Sequence, residues 1–154
     1  MISLIILGII FLYAIISYNT LTRKRNNVDN AFGSIDVMLK KRFDLIPNLV
    51  ATGQQYAKHE EETFTKITNL RTKSYDSLTA EEKADFDKTF TAAKNNFFMV
   101  AENYPALRSS ENFMQLQKTL NETEEQLSAS RRTYNAAVTD YNNSVMTFPS
   151  IIIA

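Results

Sequence analysis

The sequence predicts an all-α protein: an N-terminal transmembrane helix followed by an elongated antiparallel bundle of three to four long helices. Three observations lead there. Only three glycines and three prolines occur among 154 residues, against a usual share of roughly 7% and 5%, which disfavours a turn-dense β fold. The first eighteen residues are almost wholly apolar and carry no charge. Beyond them, apolar residues recur at alternating steps of three and four, the spacing of an amphipathic helix with a coiled-coil-like seam.

Residues 1–18, MISLIILGIIFLYAIISY, contain fifteen apolar side chains, the exceptions being Ser3, Gly8 and Ser17. At about 1.5 Å per residue such a helix covers about 27 Å, close to the roughly 30 Å of a bilayer core. A cleaved signal peptide calls for a positive n-region and a small-x-small cleavage site, and this stretch has neither, so an uncleaved anchor is expected. Residues 19–27 form a basic juxtamembrane segment containing Arg23, Lys24 and Arg25, and Lys40, Lys41 and Arg42 follow within the next turns. By the positive-inside rule this places the N-terminus outside and the body of the chain in the cytoplasm of a cell with a single-pass topology. The same six cations are the expected contacts with anionic headgroups, each contributing about 1 kcal/mol near the surface. Overall the seventeen basic and seventeen acidic residues cancel at a pI near 6.6, which argues against a nucleic-acid partner.

The helical bundle is expected over residues 28–147, with 148–154 as a short tail. Val28, Phe32, Ile35, Leu39, Phe43, Ile46, Leu49, Gly53, Tyr56, Phe64, Ile67 and Leu70 trace one seam, which Pro47 must kink or break because an interior proline removes a hydrogen bond and clashes with the turn before it. Ser74 to Ser77 end that run. Thr79 and Glu82 have the spacing of a capping box, opening a helix whose face carries Phe86, Phe90, Ala93, Phe97, Val100 and Tyr104 until Pro105 stops it. The last helix, with Phe113, Leu116, Leu120, Thr123, Leu127, Ser130, Tyr134, Ala137, Tyr141 and Val145 on its stripe, would be roughly 50 Å long and cannot bury that stripe unaided. It is expected to lie against the seam that starts at Val28, with Thr123 and Ser130 specifying helix register.

Reactive constellations are scarce. No cysteine is present, which removes disulfides, thiolate nucleophiles and Cys-ligated metals. The lone histidine, His59, opens a sequence that begins like a zincin helix, but Thr63 stands where the second histidine belongs, and Tyr56 stands where a Glu-x-x-His pair would need its carboxylate. No Gly-x-Ser-x-Gly turn or phosphate-cradling loop exists. The clusters Glu60 to Glu62, Glu81 with Glu82, and Glu122, Glu124 and Glu125 read as solvated helix faces and caps. Asp36, Lys40 and Asp44 are spaced i, i+4, i+8, one ionic ladder worth about 0.2–0.5 kcal/mol per pair. No cofactor, metal, catalytic residue or small-molecule substrate is expected; Asp36, Arg42, Asp44 and His59 are the candidates for contact with a protein partner.

Several blocks together resemble the LemA family: Tyr18-Asn19 before the basic cluster, 31–37 (AFGSIDV), 39–50 (LKKRFDLIPNLV), 56–60 (YAKHE), 101–105 (AENYP), Asn112-Phe113, Leu116-Gln117, Thr123-Glu124, Arg131-x-x-Tyr134-Asn135, Tyr141-Asn142 and Phe148-Pro149-Ser150. The resemblance implies a single-pass bacterial membrane protein with a cytoplasmic helical bundle and no established enzymatic activity, and its magnetosome-associated members imply a role in membrane organisation. Related chains typically continue past the Phe-Pro-Ser element, whereas Ile151-Ile152-Ile153-Ala154 follow it here, leaving packing on the bundle, contact with lipid or truncation as alternatives for that end. The function expected is a non-enzymatic, membrane-anchored scaffold that binds the bilayer and either a protein partner or itself; the alternatives are membrane remodelling through the basic segment and a tethered regulatory subunit of an enzyme.

Overall fold

The computed structural model describes residues 2–153. The elements run α1 (Ile2–Asp44), α2 (Ile46–Gln54), α3 (Glu61–Asn69), a 3-10 turn (Tyr75–Ser77), α4 (Ala80–Glu102), α5 (Pro105–Arg108), α6 (Glu111–Met146) and a final 3-10 turn (Ser150–Ile152), with no strand among the described residues. The all-α expectation holds. Three helices are long, at 43, 23 and 36 residues for α1, α4 and α6, and the apolar opening, the basic segment and the start of the seam all belong to α1.

At Pro47 the helical hydrogen bonding is interrupted over a single residue, Leu45, whose dihedrals stay helical. Without an N–H at position 47, the carbonyl of Phe43 loses its helical partner, α1 ends at Asp44 and Pro47 sits in the first turn of α2. A second interruption was not visible in the spacing. The helix stops again at Gln54, the N–H groups of Tyr56 and Ala57 close on the carbonyl of Gly53 at 3.1 and 2.9 Å, and α3 packs back on α2. The seam had joined Gly53, Tyr56 and Phe64 as one helical face; two short helices meeting over the same core satisfy that pattern equally well. The first run also ends earlier than expected, at Asn69, with Tyr75–Ser77 forming a turn of its own.

The capping box forms as predicted. The Glu82 N–H donates to Thr79 Oγ1 at 3.2 Å, and the Thr79 N–H donates to Glu82 Oε2 at 2.8 Å. Tyr104, held out of helical dihedrals before Pro105, separates α4 from α5.

The chain divides into two compact units, Met1–Ile35 with Ser128–Ala154, and Asp36–Leu127. In the first, the helical segments run antiparallel. Lys24 Nζ donates to Asp140 Oδ1 at 2.8 Å and to Ser144 Oγ at 2.7 Å, and the Phe32 and Tyr134 rings meet at 5.9 Å. Leu21, Ala31 and Ser17 are its buried residues. In the second, an aromatic column fills the core: Phe43 touches Tyr75 at 5.6 Å and Phe86 at 5.5 Å, and Phe86 continues to Phe90 at 5.7 Å. Each such pair contributes about 0.5–1.5 kcal/mol beyond the area it buries. Phe97, Leu107 and Leu127 have no exposed surface, nor has Thr123, whose hydroxyl donates to the Thr119 carbonyl of its own helix at 2.7 Å.

Candidate functional site

Charge, not a reactive group, organises the interior of the second unit. Arg42 near the end of α1 is 2% exposed, and its guanidinium forks between Asp87 on α4 and Glu124 on α6, with Thr91 Oγ1 at 3.5 Å from the same nitrogen that meets Asp87. Its carbon lies 5.7 Å from the Phe90 ring. Lys94 reaches Glu124 at 3.0 Å, so that carboxylate is held by two cations. Desolvation pushes the Glu124 carboxyl upward, but the hydrogen bond from Lys94 and the charges of Arg42 and Lys94 outweigh it and leave it below its ordinary range. An ionised carboxylate between two fixed cations joins helices. It is poorly suited to exchanging protons near neutrality.

The sequence grouped Arg42 with surface cations facing lipid or a partner. Its burial corrects that: the planar fork matches two carboxylates from two other helices, and a position adjoining Phe43 on α1 turns toward the core. Lys40 and Lys41 do remain exposed, Lys40 bonding Asp76 at 3.0 Å and Lys41 meeting Gln126 Oε1 at 3.4 Å.

In the Asp36, Lys40, Asp44 ladder the charges act on one another along the helix, while the direct bonds of Asp36 and Lys40 go to other elements. Asp36 accepts from Lys83 at 2.7 Å and from the Tyr75 hydroxyl at 2.8 Å, and Lys83 Nζ stands 4.7 Å over the Tyr75 ring. Desolvation raises the Asp36 carboxyl, and the bonds from Lys83 and Tyr75 together with the charges of Lys83 and Lys40 bring it below the usual value. Burial first, then the bond to Asp36, raises the Tyr75 phenol far above its ordinary value. The Asp76 carboxylate, through its hydrogen bond first and its charge second, raises Lys40. Asp44 is exposed at the end of α1, and His59 is exposed in the turn between α2 and α3. Asp44 acts on Lys40 through its charge. Beside His59, Glu60 accepts from the Tyr104 hydroxyl at 3.1 Å.

A groove of about 460 Å³ opens between α2 and the first turns of α6. Its lining includes four carboxamides, Asn48, Gln55, Asn112 and Gln115, with Thr52 and Thr119, and no charged side chain. Carboxamides had not been singled out in the sequence, because their spacing carries no signal until two helices bring them together.

In the first unit the site-like feature is the surface of α1. From Ile2 to Tyr18 thirteen large apolar side chains are exposed around the whole helix, Ile2 at 77% and Phe11 at 69% among them. By length and composition it is the one helix among the described residues able to cross a membrane. Arg23 and Arg25 are exposed just beyond it, while Lys24 turns to Asp140 and Ser144.

Comparison with known proteins finds relatives along most of the chain. The chain is 27% identical over 147 residues to Protein LemA of Metamycoplasma hominis, an alignment covering 92% of this chain and 65% of that protein. It is 23% identical over 158 residues to the magnetosome proteins MamQ 2 and MamQ 1 of Paramagnetospirillum magneticum, covering 86% of this chain and 58% of each. The chain thus spans less than two thirds of the length of these curated relatives. None of these names denotes an enzyme. The LemA family model matches residues 31–154, and the chain belongs to the LemA family.

Proposed function

We propose that this protein is a non-enzymatic, membrane-anchored helical scaffold of the LemA type, embedded through residues 1–18 and presenting its helices, from about residue 28 to 147, to a protein partner or a second copy. The observation that carries the reading is the apolar surface from Ile2 to Tyr18, exposed on every side of α1 as far as Tyr13 and interrupted beyond it only at Ala14 and Ser17. A helix apolar all round needs either a protein core or hydrocarbon about it, and an uncovered surface of this size is a liability in water. Arg23 and Arg25 on its flank support a cytoplasmic placement of the body, with the N-terminus outside, and contact with anionic headgroups.

Topology mapping tests the proposal. With a tag after Ala154, proteinase should spare the body in right-side-out vesicles and digest it in inverted ones. Cleavage in right-side-out vesicles overturns the orientation, and extraction of the protein by alkaline carbonate overturns the anchor. Crosslinking in native membranes should then recover one reproducible protein, another or a second copy; recovery of neither counts against the scaffold. A membrane-organising role has support from the same basic flank and predicts altered vesicle shape on reconstitution.

A further inference from the structure

We propose that the end of the chain, from Met146 to Ile152, is a second lipid-contacting element that enters the bilayer interface beside α1. The proposal rests on the anchor reading above and deepens it. Phe148 is 81% exposed and Ile152 73% exposed, with Met146 and Ile151 also open. From Tyr141 to Ile153 there is no charged side chain, so no side-chain ion of this segment has to be desolvated on entry.

Register locates this patch. Within the first unit, Lys24 pairs with Asp140 and Ser144, and Phe32 with Tyr134. These antiparallel pairs put the last residue of α6, Met146, at the level of about residue 20 of α1, by the common rise of paired helices. Ser17 and Leu21 are buried there, although that stretch of α1 is otherwise exposed, as expected if the segment after Ser144 covers them. Past Met146 the chain leaves the helix and folds into a short turn, in which the Ile151 N–H donates to the Thr147 carbonyl and the Ile153 N–H to the Ser150 carbonyl, each at 2.9 Å. The apolar turn therefore begins close to Tyr18 of α1, the kind of residue that settles at the headgroup boundary. An exposed Phe and two exposed Ile at that depth fit lipid, where apolar insertion and aromatic residues are favoured. Continuity with the exposed surface of α1, which lies within the same unit, favours lipid over a second copy.

The absence of cysteine from the chain makes the test direct. Single-cysteine variants Phe148→Cys, Ile152→Cys, Leu7→Cys and Lys118→Cys of the full chain would carry an environment-sensitive fluorophore. They would be reconstituted in phosphatidylcholine vesicles containing one quarter phosphatidylglycerol, with nitroxides on the lipid chains near the headgroup or near the bilayer centre. Labels at 148 and 152 should be quenched several-fold more by the shallow nitroxide than the label at 118, and the label at 7 most by the deep one. Quenching at 7 without quenching at 148 and 152 overturns the proposal and leaves the anchor standing. No quenching at 7 overturns the anchor reading itself. Energy transfer between labels at 148 on different molecules, without lipid quenching, assigns the patch to self-association and overturns the lipid assignment.

Discussion

The ring of Phe64 occupies the space into which a Cβ on Gly53 would point, and the ring of Phe97 closes the same space, its Cε2 standing 2.8 Å from that position. Gly53 lies in the last turn of α2 with ordinary helical geometry, so its glycine is required by closeness of approach and not by an unusual dihedral angle. Replacing a helical glycine with alanine ordinarily stabilises by about 0.4–1 kcal/mol through the unfolded chain. Here two buried rings must move, and overpacking costs about 1–3 kcal/mol. Gly53→Ala should therefore lower stability, measured as the urea midpoint of the full chain in detergent. Adding Phe64→Leu should return part of the loss; additive losses in the double variant would show that the ring is not what excludes the methyl group.

Arg42 offers a second sign test. Its side chain is 2% exposed, Asp87 16% and Glu124 40%. Removing one member of a buried pair leaves an uncompensated charge and costs about 3–5 kcal/mol. Arg42→Met should approach the lower end, because Glu124 is partly solvated and keeps Lys94. Arg42→Lys should also lose stability, since a single ammonium cannot reproduce a fork between two helices. Glu124→Gln, at a half-open position, should cost roughly 1 kcal/mol or less. Equal losses for Arg42→Met and Glu124→Gln in denaturant titrations would contradict the buried-fork account.

Acid and alkali should weaken the fold through different groups. Asp36 and Glu124 titrate below their ordinary values of 3.8 and 4.5, so on acidification the unfolded chain binds protons first. The stabilisation is present above about pH 5 and is lost as the pH falls through the folded values. Tyr75 has the opposite sense. Its phenol is raised above the ordinary 10.0, so its contribution is complete below that value and is lost as pH rises past it. Unfolding midpoints across pH should be flat near neutrality and fall at both ends. Asp36→Asn should flatten the acid limb and Tyr75→Phe the alkaline one; unchanged limbs in these variants would remove the assignment.

Two acidic residues separate the intrahelical ladder from the direct bonds to other elements. Lys40 bonds Asp76, while Asp44 lies exposed. Both Asp76→Asn and Asp44→Asn should change stability by less than about 1 kcal/mol, as expected for exposed pairs. In a double-mutant cycle with Lys40→Met, coupling should be larger for Asp76, which hydrogen-bonds Lys40, than for Asp44, which acts on it through charge alone. The reverse order would show that the ladder outweighs the bond to Asp76.

Much of the fold was legible because its signals are local. The capping box of Thr79 and Glu82, the stop at Pro105 and the interruption at Pro47 depend on backbone donors and sterics within a few residues. The second interruption, between Gln54 and Glu61, was not legible. Periodicity records which residues seek a core but not whether the helix is continuous, and Phe64 fits the seam of Gly53 whether it follows on one helix or returns on another. Carboxamides around the groove between α2 and α6 were invisible for a related reason, since neither helix alone places them together.

The helical class, the apolar stretch long enough to span a bilayer, its basic flank and the family all follow from composition, spacing and motif order, which act along the chain. Which charges are surface and which are interior depends on how the helices pack. Arg23 and Arg42 look alike in a string of letters, yet one is exposed and the other is enclosed by Asp87, Glu124 and Phe90. The difference arises because burying a guanidinium is tolerable only where partners from other helices meet its donors, and that meeting is a property of packing.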